Sequence, residues 1–178
     1  MMNVGIIFYA AQELKDEGIR EIVDTHCLQT RRYMVRGDGS TTHEGIFDLE
    51  TGVFLRQTTQ QGWRDDSSWA RGQAWALYGF GTCYAFTGDK RYLEVAQATA
   101  DFFIERTGNR LIAPNDWEEP NPILPVETSA SAITASGLLQ LSQLVDNEVD
   151  ALLHETTLEL TSALINKGVT NDGNLREA

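Results

Sequence analysis

Cysteine is scarce in this 178-residue chain, with only Cys27 and Cys83 present. Two cysteines build no disulfide framework and offer no metal-ligand spacing. Both fall in apolar helical patterns, which predicts buried free thiols. Basic residues are outnumbered, 14 Lys and Arg against 26 Asp and Glu, giving a formal net charge of −12. A field of that sign repels phosphate backbones and anionic headgroups, so neither nucleic acid nor a membrane surface is an expected partner. Long apolar runs are missing too. The run at 4–11 has no basic flank before it, is too short to span a bilayer and soon meets Gln12 and Glu13. A soluble, cytoplasmic chain without metal or cofactor is the expectation.

What is present argues for a packed core: 42% of residues are apolar, with four Trp, five Tyr and seven Phe. Helical periodicity dominates and predicts helices over 3–16, 19–35, 68–86, 90–106, 128–145 and 149–167. Asp66, Ser67 or Ser68 is placed to cap the third helix, and Thr128 or Ser129 the fifth. Thr87-Gly88-Asp89 ends the third helix and turns into the fourth. Segments 45–49 and 53–57 flank a turn at Glu50-Thr51-Gly52 and predict one strand pair.

The helices alternate in kind. The first, third and fifth carry small residues and interior glycines (Gly5; Gly72, Gly79 and Gly81; Gly137). An interior glycine costs roughly 1 kcal/mol against alanine, so three in one helix point to close backbone approach. The second, fourth and sixth are ordinary amphipathic helices. Inner helices alternating with outer ones are the pattern of an all-α fold, a double-layered α/α toroid with a small β-hairpin in a loop. Turns within pairs are short, near 17–18, 87–90 and 146–148, while the connections 37–67 and 108–127 are long. Long loops inside a compact domain carry function. Both run from an outer helix to the next inner one, so they emerge at one end of the toroid, which becomes the candidate site.

The densest segment is 60–75. Arg71 falls in the first turn of the third helix, where the macrodipole disfavours a cation. A bound carboxylate reverses that penalty, and an ion pair with Asp65 or Asp66 does so equally well. Trp63, Trp69 and Trp75 cluster where the long loop meets the helix, as stacking faces for a sugar ring or as core. Trp117 in the other long loop reads as a rim residue or a loop anchor. His43 follows Gly39-Ser40-Thr41-Thr42 on the candidate face. His26 and His154 lie on outer helices without an assigned role. Asp65-Asp66 has the form of a carboxylate pair, but capping explains at least one of the two. Asp116, Glu118, Glu119 and Glu127 read as solvated loop charges.

The stretch Trp69-Ala70-Arg71-Gly72-Gln73-Ala74-Trp75-Ala76-Leu77-Tyr78-Gly79-Phe80, preceded by Gln61-Gly62 and Asp66-Ser67, resembles the signature of unsaturated glucuronyl hydrolases, glycoside hydrolase family 88. Met1-Met2-Asn3 opening a helix, Gly39-Ser40-Thr41-Thr42-His43, Thr87-Gly88-Asp89 and Thr128-Ser129-Ala130-Ser131-Ala132 support it in order along the chain. The resemblance implies a six-hairpin toroid, of which this chain supplies three hairpins (roughly 3–35, 68–106 and 128–167) in one partial domain. It implies action on oligosaccharides left by polysaccharide lyases, whose terminal uronic acid has a C4=C5 double bond. An aspartate protonates this vinyl ether and activates water, and the resulting hemiketal opens to release the sugar, unlike displacement at the anomeric carbon. Carried over by position, His43 and Gln61 hydrogen-bond the unsaturated sugar, Trp69 and Trp75 line the pocket, and Arg71 sits near the substrate's anionic groups.

The resemblance also places the family's main catalytic aspartate just before Met1-Met2-Asn3 and a second one further upstream. The sequence given has neither position, and at its other end Asn171-Asp172-Gly173-Asn174-Leu175 stops short of the family's last helical elements. No catalytic acid is therefore assigned, and the chain alone is expected to lack hydration activity. Exposed toroid edges predict self-association. Two other readings compete: a non-catalytic sugar-binding remnant, and a helical-repeat interaction protein, since residues 88–96 resemble a tetratricopeptide turn. Repeat spacings near sixty residues and unequal loops weigh against the last.

Overall fold

The computed structural model describes residues 1–121, 126–145 and 147–168, the side chains of 147–152, 167 and 168 excepted. Residue 146 of the turn expected at 146–148 and the segment 171–175 lie outside the described residues. Six helices pair as three hairpins: α1 (Val4–Leu14) with α2 (Glu17–Met34), α3 (Ala70–Thr87) with α4 (Lys90–Thr107), and α5 (Thr128–Ser142) with α6 (Asn147–Gly168). The helix α3 packs against α1 on one side and α5 on the other, and each of these backs onto its own partner. This is the expected two-layer order, α1, α3 and α5 inside and α2, α4 and α6 outside. No described helix is long and apolar enough to cross a membrane.

The small residues explain the inner layer. A Cβ on Gly79 would lie 2.8 Å from the Met1 carbonyl oxygen, and one on Gly137 would lie 3.0 Å from Leu77. Side chains there would push α3 away from the segment entering α1 and from α5. The core runs along these contacts through Phe8, Leu77, Phe80, Tyr92 and Leu138, all at most 1% exposed. Each large apolar side chain so buried contributes roughly 1.5–3 kcal/mol. A second cluster gathers Ala74, Phe103, Ala113, Trp117 and Ala130 beneath the second long loop.

Several local readings hold and several need correction. Gly88 adopts φ +69° at the end of α3, and its N–H donates to the Tyr84 carbonyl at 2.8 Å, while Asp89 caps α4 through the Arg91 N–H. The expected caps on α3 and α5 do not form. Trp69 occupies the α3 cap position without a side-chain bond, and the Ala70 N–H is instead satisfied by the Asn115 carbonyl at 2.9 Å. Glu127, not Thr128 or Ser129, precedes α5, again without a side-chain cap. The helix α5 also stops at Ser142, three residues before its expected end. Loop-to-loop pairing, invisible to a local cap rule, supplies part of what side chains were expected to supply.

The strand pair forms between β1 (Glu44–Phe47) and β2 (Phe54–Thr58), antiparallel with an irregularity at Ile46/Phe47. Asp48 widens the turn, because its carboxylate accepts from the N–H groups of Glu50 and Thr51. Tyr33 at the end of α2 stacks on Phe54 at 4.9 Å and meets Phe47 edge-on at 5.5 Å, which fastens the hairpin to the helix.

Candidate functional site

A cavity of about 470 Å³ opens between α2 and α3. Its walls come from the Met1-Met2 segment, one face of α2 that includes His26 and Met34, and Gly72, Trp75, Ala76 and Phe80 of α3. Residues Thr41, Thr42, His43 and Trp69 close it from the long loop. No carboxylate among the described residues lines it. No cluster of His, Cys, Asp and Glu among them could hold a metal ion.

The five residues singled out from the sequence form one neighbourhood in two parts. His43, Trp69 and Trp75 line the cavity itself. Gln61 and Arg71 do not. They bond to each other, Arg71 Nη2 donating to Gln61 Oε1 at 2.6 Å, and they join the cavity through Trp69, over whose ring the guanidinium carbon lies at 4.6 Å. The ion pair expected with Asp65 or Asp66 is absent. Arg71 pairs with Glu127 at 3.5 Å across the second long loop and donates to the Ser129 hydroxyl at 3.3 Å, while Ser129 also bonds Glu127. Glu127 thus balances the cation that the α3 dipole disfavours.

The His43 ring packs against Trp69 with centroids 4.3 Å apart. The Thr59 hydroxyl accepts the Gly62 N–H at 2.8 Å and lies 2.9 Å from His43 Nδ1. The Gln60 N–H approaches the same nitrogen at 3.4 Å. Nδ1 is therefore the acceptor, and a neutral ring carries its proton on Nε2. Burial lowers the His43 pKa from 6.5, and Arg71 adds to the shift, so the ring is uncharged at neutral pH and offers Nε2–H as a donor. Burial likewise lowers His26.

Asp65 and Asp66 do not form a carboxylate pair. Asp65 accepts from the Thr58 hydroxyl and the Thr59 N–H, and Asp66 faces Arg64 at 2.8 Å. Trp117 is a loop anchor, 7% exposed and held edge-on by Phe102 and Phe103 at 5.5 and 5.3 Å. Asp116 overturns its reading as a solvated charge, because it is 0% exposed. Its carboxylate accepts from the Trp63 N–H at 2.9 Å, the Ser67 hydroxyl at 2.6 Å and the Glu118 N–H at 3.0 Å. Glu118 is also no free charge: it accepts the Ser68 N–H at 2.8 Å and pairs with Arg106, and burial raises its pKa. These two acids lock the two long loops together around the base of Trp69. Asn115 adds to the lock by bonding both the Trp69 indole and the Gln61 carbonyl. Asp116, Glu118 and Glu127 were visible in the sequence only as charges; the partners that tie them to the first long loop and to α3 lie 49 to 56 residues away.

No protein-family model matches the chain. Among curated proteins it is 37% identical over 147 residues to the unsaturated glucuronyl hydrolase of Bacillus sp. (strain GL1), covering 82% of this chain and 39% of that protein. It is 29% identical to the unsaturated chondroitin disaccharide hydrolase of Streptococcus pyogenes serotype M1, covering 97% of this chain and 44% of that one. The crystal structure of the unsaturated glucuronyl hydrolase from Bacillus sp. GL1, described as responsible for degradation of glycosaminoglycan, superposes with a TM-score of 0.91 at 34% identity, over 96% of this chain and 46% of that one. An unsaturated glucuronyl hydrolase structure described as specific for heparin superposes with a TM-score of 0.90 at 29% identity, over 97% and 47%. The chain therefore spans less than half the length of the relatives it matches. By sequence and by backbone it belongs with the unsaturated glucuronyl hydrolases, carrying three helical hairpins of their α/α toroid.

Proposed function

We propose that this chain forms the uronyl-binding part of an unsaturated glucuronyl hydrolase, with its three hairpins as one domain. The substrate class is an oligosaccharide ending in a C4=C5 unsaturated uronic acid. The observation that carries this reading is the convergence of His43, Trp69 and Trp75 on one cavity, with Arg71 stacked on the outer Trp69 and tied to Gln61. An indole wall suits a sugar ring, the neutral His43 and the Gln61 amide suit its hydroxyls, and Arg71 suits its carboxylate. The reaction assigned to the complete site is hydration of the vinyl ether, after which the hemiketal opens and the sugar leaves. That no carboxylate among the described residues lines the cavity supports a division of labour in which these residues hold the sugar and a proton donor comes from elsewhere.

The test uses the 178-residue chain and an unsaturated uronyl disaccharide, followed by calorimetry and by absorbance of the double bond. Saturable binding without loss of absorbance is expected. Turnover at the rate of a full-length relative refutes the division of labour, and absence of binding refutes the site. A non-catalytic sugar-binding role fits the same geometry. We further propose that the chain self-associates through α1, where Ile6 and Leu14 are 71% and 67% exposed, with Ile22 of α2 at 70%. A well-folded monomer in light scattering overturns that. We also propose a cytoplasmic location, which accords with a chain of only two cysteines.

A further inference from the structure

Arg36 stands at the end of α2, just beyond Met34, and no carboxylate among the described residues lies within 4 Å of its guanidinium. Its bonds go entirely to neutral oxygens. Nη1 donates to the Ser40 hydroxyl at 3.0 Å, the Thr41 carbonyl at 3.2 Å and the Ser68 hydroxyl at 3.1 Å. Nη2 donates to Gln57 Oε1 at 3.2 Å and the Ser67 carbonyl at 3.0 Å. The main chain closes the same knot, with the Arg36 N–H donating to the Ser40 carbonyl and the Gly39 N–H to the Arg36 carbonyl. The charge is offset indirectly, because the Ser40 hydroxyl that accepts from Arg36 passes its own proton to Asp38 Oδ1 at 2.6 Å.

The destinations of these bonds have a pattern. Ser40 and Thr41 lie three and two residues before His43. Gln57 lies two residues before Thr59, whose hydroxyl bonds His43 Nδ1. Ser67 and Ser68 immediately precede Trp69. One planar fork therefore bonds all three segments that build the His43–Trp69 wall, adding the ties to Ser67 and Ser68 to a frame that the β1–β2 ladder, the Thr59–His43 bond and the Asp65 bonds to Thr58 and Thr59 also hold. A fork with five donors in fixed geometry can do this, and a single ammonium cannot.

We infer that Arg36 is the positioning residue of the candidate uronyl site, setting the mutual placement of His43 and Trp69 without touching the sugar. The inference rests on the reading of the cavity as a uronyl site for its effect on binding, but not for its effect on geometry. Displacing either ring by about an ångström costs much of the advantage of a prearranged site.

The experiment compares wild type, Arg36→Lys and Gln57→Ala in the full chain. Arg36→Lys keeps the charge and removes the fork, and Gln57→Ala removes only the β2 acceptor. One readout is the NMR position of the His43 ring protons, which Trp69 shifts by its ring current at 4.3 Å. The other is the calorimetric affinity for an unsaturated uronyl disaccharide. In Arg36→Lys the ring-current shift collapses and affinity falls about tenfold or more, while the helical circular dichroism is kept. In Gln57→Ala both effects appear in part. An unchanged His43 signal in Arg36→Lys overturns the inference. If Arg36→Lys does not fold, Gln57→Ala decides alone: a displaced His43 signal supports the inference and an unmoved one overturns it. A wild-type chain that does not bind the disaccharide, yet loses the His43 shift on Arg36→Lys, leaves the positioning role standing and refutes the sugar reading instead.

Discussion

Asp116→Ala removes the acceptor from three donors at once: the N–H groups of Trp63 and Glu118 and the hydroxyl of Ser67. A polar group left buried and unpaired costs about 1–3 kcal/mol. Trp63 is 50% exposed and Glu118 is half-buried, so water reaches part of the gap and the lower end of that range applies to each donor. The variant also sheds the cost of keeping a carboxylate out of water, which trims the loss further. A net destabilisation of about 2 kcal/mol results, equivalent to a fall in Tm of roughly 4–8 °C for a chain of this size. Asp116→Asn keeps one oxygen acceptor and turns an amide N–H₂ toward a donor, so it loses about half as much. Urea unfolding, followed in parallel by circular dichroism and tryptophan fluorescence, measures both. The control is Asp66→Ala, which removes an exposed partner of Arg64 and changes stability by less than about 0.5 kcal/mol. If Asp116→Ala proves no less stable than Asp66→Ala, the account of Asp116 as the lock between the two long loops is wrong.

Three further outcomes are expected. Gly39 sits at φ +82°, where a Cβ would lie 2.3 Å from the Ala98 carbonyl oxygen. Gly39→Ala should therefore cost about 3 kcal/mol or more in a thermal melt, whereas Gly37→Ala, with open space around it, should be neutral. The fully buried Cys27 and Cys83 should resist a thiol reagent in the folded chain and react together once it is denatured, with the hydrogen bond to Cys27 and then burial pushing the Cys83 thiol up as well. His43 has its folded pKa below 6.5, so as pH falls through 6.5 the unfolded chain takes the proton first and stability drops toward the lower folded value. Above 6.5 there is no such effect, and His43→Gln should lose less stability than wild type between pH 7.5 and 5.5.

The helices were legible in the sequence because their signals are local. Apolar spacing marked all six within a few residues, Gly88 marked the stop of α3, and the interior glycines marked which helices touch. Trp69, Trp75 and His43, which line one cavity, drew attention in the sequence through a dense motif and its resemblance. Arg36, Asp116 and Glu127 did not. Their roles depend on acceptors and donors 21 to 56 residues away, as with Arg36 to Gln57 and Arg71 to Glu127. Nothing in a window around such a residue distinguishes a buried staple from a solvated charge. The failed caps have the same cause: Ser67 was read as serving its own helix, but its hydroxyl serves Asp116.

The two staples also imply an order of assembly. Each helical hairpin is joined by a tight turn, so its contacts close cheap loops and form early. The bonds of Arg36 to Gln57 and Ser67, and of Asp116 to Trp63 and Ser67, close loops of 21 to 53 residues and so follow the hairpins they join. What forms last on such a scaffold opens first. The Trp63 and Glu118 amides should then exchange with solvent through a small local opening, well before those in the middle of α3 and α5 are released by global unfolding. The wall between His43 and Trp69 would come apart and reseal many times within the lifetime of one folded molecule.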